Sequence, residues 1–273
     1  MNNTFSIKRF GLLLKRQWLE FGKIYLISLV VVLGVLLSFY GYNYYAITNF
    51  IDGGFSSNRI YIRIPLFVVT GLLFITTIAS NYFAHLGQKS RAIIDLMTPN
   101  STFERFMGGV FFTTVLGISS YLLLFYLTDL AFMTKLRSWY ETSGNNMFLD
   151  GKKVELNQMF PYFFNDNRKE VPMPVLAGSF LLTSVFLLGS IYFEKFHYIK
   201  TAICVMIFSG IWTAIIVKSN KVLFEGKIPI NNNHMRDMFN ERNTVEIWVA
   251  LLIVALTLIF WALTYVRLKE KEV

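Results

Sequence analysis

Asp129 is the only charged residue inside any of the long apolar runs of this 273-residue chain. A charge within a membrane span is costly and marks an ion path, a proton relay or a counter-ion. Asp129 stands three residues from the end of its run, so it is expected to reach the headgroups, with a coupling role as the alternative. The other reactive groups are scattered. His85, His197 and His234 are isolated in sequence, and Cys204, the single cysteine, has no partner for a disulfide. There is no G-x-x-x-x-G-K-[ST] loop, no H-E-x-x-H, no paired-cysteine spacing and no G-x-S-x-G elbow. No catalytic set, metal site or cofactor is therefore expected, and the chain is not read as an enzyme. Charges cluster in two places instead. Lys89, Arg91, Asp95, Glu104 and Arg105 fall within Asn81–Gly109, and Lys8, Arg9, Lys15 and Arg16 surround Trp18 within Ser6–Lys23. Such sets suit ion pairing with a partner protein or with lipid headgroups.

The elements that position them follow from hydropathy. Six apolar runs, Ile24–Tyr42, Ile64–Phe83, Val110–Phe132, Val175–Phe193, Thr201–Val217 and Ile247–Val266, are each long enough to cross a hydrocarbon core. They do not alternate apolar and polar residues as barrel strands do, so helices are expected. Small and hydroxylated residues inside them, such as Thr70, Gly71, Thr113, Thr114, Gly189 and Ser190, fit close helix packing. The expected fold is all-α: one polytopic helix bundle of six transmembrane helices over residues 1–273. An N-terminal interfacial amphipathic helix and a small external hairpin complete it.

Composition agrees, with 54% hydrophobic and 16% charged residues. The net charge of +9 is assigned to membrane orientation and anionic lipid rather than to nucleic acid. With both termini cytoplasmic, most external basic residues fall in two long segments, Met133–Pro174 and Lys218–Glu246. Long segments translocate largely regardless of charge, and five basic residues precede the first run, which favours that orientation. The first run is expected to act as an uncleaved signal anchor.

Between the runs, Ile7, Phe10, Leu14, Trp18 and Phe21 recur at helical spacing beside the basic residues of Ser6–Lys23. That pattern predicts a helix lying in the interface, or a plain extension of the first span. Ser90–Leu96 can continue the second helix until Pro99 breaks it, and Ser101-Thr102-Phe103-Glu104 is a capping-box pattern for the next. The result is a helix-turn-helix corner, read as a solvated connection or a docking surface. Asp150-Gly151 signals a hairpin between Asn146–Leu149 and Lys152–Leu156. Glu194–Lys200 reads as a tight turn.

This layout resembles the permease subunits of type-2 ABC exporters, in particular a Bacteroidetes-type branch of permease-like integral membrane proteins. The local likeness lies in Phe10–Arg16, Pro99–Phe106, Gly189–Lys195 and Arg267–Glu272. The resemblance implies a homodimer or heterodimer of permease subunits in a bacterial cytoplasmic (inner) membrane, bound to a separate ABC ATPase. It makes Gln88–Phe106, with Lys89, Arg91, Asp95, Glu104 and Arg105, the element coupled to the ATPase, and Ser6–Lys23 the gate helix. The alternative is a non-transporting membrane scaffold, sensor or accessory protein.

Overall fold

In the computed structural model each long apolar run forms a helix. The structure describes residues 5–49, 62–87, 101–142, 148–149, 152–153, 162–164, 173–224 and 232–271. Among these the helices are α1 (Ile7–Asn49), α2 (Arg63–Tyr82), α3 (Thr102–Thr142), α4 (Met173–Tyr192), α5 (His197–Phe224) and α6 (Asn232–Lys271). Five of them contain stretches long and apolar enough to cross a membrane, and α4 adds a shorter one, Leu176–Tyr192. Large apolar side chains stand exposed along α5, among them Ile203, Ile207, Phe208, Ile211 and Ile215. A hydrocarbon solvent accepts such a surface and water does not. The chain is an all-helical, multi-pass membrane protein.

Three elements differ from the sequence reading. The helix expected over Ser6–Lys23 forms, and of its two expected forms it takes the second, an unbroken extension of the first span. The whole of α1 is 43 residues, about 65 Å at the usual rise and roughly twice the hydrocarbon thickness. It runs through Gly22 and Lys23-Ile24 as ordinary helix, with no Pro to break it. The third helix reaches well past both ends of Val110–Phe132 and contains a π-turn at Phe111–Leu116. The last helix begins upstream of Ile247, at Asn232.

Two local expectations hold. Ser101 caps α3, accepting from the Glu104 N–H, while Glu104 accepts from the Ser101 N–H, a complete capping box. Phe148–Leu149 pairs antiparallel with Lys152–Lys153, Phe148 opposite Lys153 and Leu149 opposite Lys152. The turn residues Asp150-Gly151 lie outside the described residues. Between α4 and α5, Phe196 takes a left-handed conformation at φ 54°, which closes the expected tight turn at some cost for a bulky side chain.

Contacts divide the chain into two compact units, and α1, α2 and α3 each supply residues to both. The first unit comprises Met1–Lys15, Thr76–Thr114 and Pro172–Val273. Here α4 packs along α6 and α5, around buried Ile78, Phe186, Leu187, Ile191 and Leu268. Gly189 is needed for this packing, because a Cβ there would lie 2.0 Å from Thr201 Oγ1. Gly189→Ala is expected to lower stability by about 1–3 kcal/mol through overpacking. Thermal unfolding in detergent should show part of the loss restored by adding Thr201→Ala; an equally unstable double variant would refute the steric account.

The second unit comprises Arg16–Ile75 and Val115–Val171. Its interior joins Tyr25, Leu36, Tyr40, Phe67, Phe74, Tyr121, Phe125 and Phe163. A neighbouring cluster of Ile47, Met133 and Leu136 is flanked by Tyr44, Phe132, Trp139, Tyr140 and Tyr162.

Candidate functional site

The chemistry of the second unit centres on Asp129. On α3, Phe125, Asp129, Met133 and Leu136 recur at helical spacing and share the buried face. On α2 the same spacing aligns Arg63, Phe67, Thr70 and Phe74. Bringing those faces together sets the first residue of α2 against Asp129. Arg63 Nη1 donates to Oδ1 at 3.0 Å and to Oδ2 at 3.3 Å. The Tyr40 hydroxyl of α1 donates to Oδ1 at 3.0 Å, and the Phe163 backbone N–H reaches Oδ2 at 3.3 Å. Both charged side chains are only 4% exposed.

Aromatic rings close the pair off. The Arg63 guanidinium lies 5.9 Å from the Phe163 ring centroid, and Phe67, Phe125 and Phe163 stand 4.8–5.2 Å apart. Deeper along α3, the Tyr121 hydroxyl donates to the Phe67 carbonyl at 2.6 Å and meets Thr70 Oγ1 at 2.8 Å. Gly71 makes room for that ring, since a Cβ would come within 2.7 Å of it. Asp129 therefore does not reach the headgroups as the sequence reading expected; it is turned inward because a cation and two further donors meet it there. A charge buried this deeply is tolerated only when paired and hydrogen-bonded.

The first unit has a second buried carboxylate. Glu104 is fully buried, and Oε1 accepts from the Ser6 N–H at 2.9 Å and from Arg9 Nη2 at 3.2 Å. Oε2 accepts from the Ser101 N–H at 3.0 Å. All three partners are N–H donors, an environment that suits the ionised form. The same carboxylate thus caps α3 and holds the start of α1. Phe5 packs against Phe10 at 5.7 Å and Phe103 at 6.0 Å, adding an apolar contact beside it. Tyr265 of α6 meets Phe106 at 5.8 Å and Phe103 at 6.4 Å.

Of the residues singled out from sequence, the structure brings Arg9 and Glu104 together. Arg105 is 3% and Glu104 0% exposed, so these two residues of the corner are buried. Glu104 is withdrawn because the capping box needs its carboxylate at the helix start. Lys8 and Lys15 are exposed. Arg16 pairs with Glu20 at 2.9 Å along an accessible face of α1, and Trp18 stacks over Gly22 and near Tyr25. Lys89, Arg91 and Asp95 lie outside the described residues. Arg63, Tyr40 and Phe163 were not singled out, although an arginine opening one span and a lone acid in the next were a usable signal.

These groups clamp helices together. Among the described residues no three His, Cys, Asp or Glu side chains gather to hold a metal ion. Fold and site together define a class, a multi-pass helical membrane protein with, among the described residues, a buried Arg63–Asp129 pair in one unit and a buried Glu104 carboxylate paired with the partly exposed Arg9 in the other. No family model, curated protein or solved structure matches the chain.

Proposed function

We propose that the chain is the membrane-spanning, permease-like subunit of an ABC-type export system, energised in trans by a separate ATPase. In this reading it works as a homodimer or heterodimer in a bacterial cytoplasmic membrane, with both termini cytoplasmic. The observation that carries the reading is the Glu104 clasp. One buried carboxylate ties Ser6 and Arg9 at the start of α1 to Ser101 at the start of α3. A displacement imposed on the corner before α3 is thereby passed to a 43-residue helix without a hinge between. The near absence of charge from the apolar runs adds support, since it leaves energy to enter from outside the bilayer.

The test is affinity purification of the full chain from its native membrane in mild detergent. A P-loop ATPase encoded beside its gene is expected to co-elute in near-stoichiometric amount, and Arg91→Glu to reduce that recovery without loss of membrane insertion. Recovery of no ATPase would overturn the reading and leave a scaffold or accessory protein.

A further inference from the structure

The turn between α4 and α5 breaks two local rules at one residue. Phe196 is the one non-glycine position with a positive φ among the described residues, at 54°, a conformation that suits Gly or Asn. Its carbonyl accepts from the Lys200 N–H at 3.0 Å. That makes it the N-cap of α5, where Ser, Asp or Asn would satisfy a free helix N–H and Phe cannot. The ring is 72% exposed, so packing within the described residues does not offset the cost. Local conflicts that persist in this way mark functional positions.

The place of the turn says what meets it. Only Phe193, Glu194, Lys195 and Phe196 separate α4 from α5, and the apolar stretches Leu176–Tyr192 and His197–Ile215 run up to it from both sides. So short a link between two membrane-crossing helices stays at the depth of the lipid headgroups. The end of α6 reaches the same level, since the Arg267 guanidinium lies 5.2 Å from the Tyr192 ring centroid. Lys200 Nζ lies 5.6 Å from the centroid of Phe193, whose ring meets that of Tyr192 edge-on at 5.2 Å. A line of contacts thus joins Lys200 to Arg267. The charges here are unbalanced, with Lys195, Lys200, Arg267 and Lys269 exposed beside Glu194 and Glu270. Glu270 is taken by Arg267. Among the described residues Lys195 and Lys200 meet no carboxylate at ion-pair distance.

We propose that the α4–α5 turn and the end of α6 dock the headgroup of an anionic phospholipid, with Lys195 and Lys200 on its phosphate and Phe196 among the first acyl carbons. Lysine stems lie along apolar surface while their ammonium groups reach the headgroup, and a phosphodiester supplies the charge and acceptors they lack. A soluble acidic partner would match the lysines but leave the Phe196 ring in water. Lipid covers the ring, and that burial offsets the cost of its backbone conformation. The site needs only the membrane location, so it is tested apart from any ATPase.

The test uses the full chain, stripped of lipid in mild detergent, with phosphatidylglycerol and phosphatidylcholine of equal chain length as probes. Native mass spectrometry should show phosphatidylglycerol retained in preference. Lys195→Gln and Lys200→Gln should each lower that retention by about fivefold, whereas Lys218→Gln, towards the far end of α5, should leave it unchanged. Phe196→Asn, which suits the backbone and caps the helix, should lower retention of both lipids. Thermal unfolding gives an independent readout. Phosphatidylglycerol should raise the parent midpoint more than phosphatidylcholine does, and that advantage should vanish when both lysines are replaced. Equal retention of the two lipids by the parent chain would overturn the proposal. So would equal stabilisation by free glycerol phosphate or by a polyglutamate peptide, which would assign the cations to a soluble anion or an acidic protein. The parent comparison decides even where a variant fails to fold.

Discussion

Asp129→Asn is expected to destabilise the protein by about 3–5 kcal/mol, the cost of removing one member of a buried ion pair. The amide keeps an acceptor for the Tyr40 hydroxyl or the Phe163 N–H, so most of the loss comes from withdrawing the negative charge that Arg63 faces at 3.0 Å. Arg63→Met should cost a similar amount by leaving the Asp129 carboxylate without its cation. The double variant Arg63→Met with Asp129→Asn should recover much of the loss, because it leaves no buried charge and the methionine fills part of the space. A double-mutant cycle on thermal or denaturant unfolding in detergent measures the coupling. Additive losses would sink the ion-pair account. The losses should also vary little between low and high salt, since screening acts weakly on a pair 4% exposed.

Glu104→Ala should produce the second largest effect, about 2–4 kcal/mol, through loss of the carboxylate that accepts from the Ser6 and Ser101 N–H groups and pairs with Arg9, the Ser101 cap itself remaining. Glu104→Gln should be much milder for α3, because glutamine also completes a capping box. It should still loosen Arg9, whose side chain is 34% exposed and is held by charge. Limited trypsin digestion reads the difference. Cleavage after Lys8 or Arg9 should rise strongly in Glu104→Ala, moderately in Glu104→Gln, and hardly at all in Lys15→Ala, whose side chain is exposed. Equal cleavage in all three would show that Glu104 does not secure the start of α1. The proposed coupling gives a further readout. If an ATPase is recovered with the parent chain, Glu104→Gln should retain its binding yet lower its stimulation by the membrane subunit.

Much of the architecture was legible from composition alone. Lipid forces every backbone polar group to pair within its own segment, so a charge-free run of adequate length can only be a helix. The capping box at Ser101 and the hairpin pairing around Asp150-Gly151 were also readable, because both depend on neighbours in sequence. Helix ends were less so. Hydropathy marks where lipid contact stops, whereas a helix continues until its hydrogen bonds are interrupted, and α1 and α6 extend well beyond their apolar runs. The π-turn in α3 carries no composition signal, since Phe111–Leu116 is apolar and hydroxylated like its surroundings.

The roles of individual charges were decided by tertiary contacts. Asp129 near the end of a span could equally reach headgroups or turn inward, and only the approach of Arg63, Tyr40 and Phe163 from three other segments selects burial. Glu104 was readable as a capping residue, yet its hold on Ser6 and Arg9 joins residues separated by 98 and 95 positions. The sequence by itself determined that this chain lives in a bilayer as helices, because the solvent dictates that from hydropathy and length. Which charges are exposed and which serve as internal clamps is a property of helix faces meeting, and the tertiary structure alone decided it.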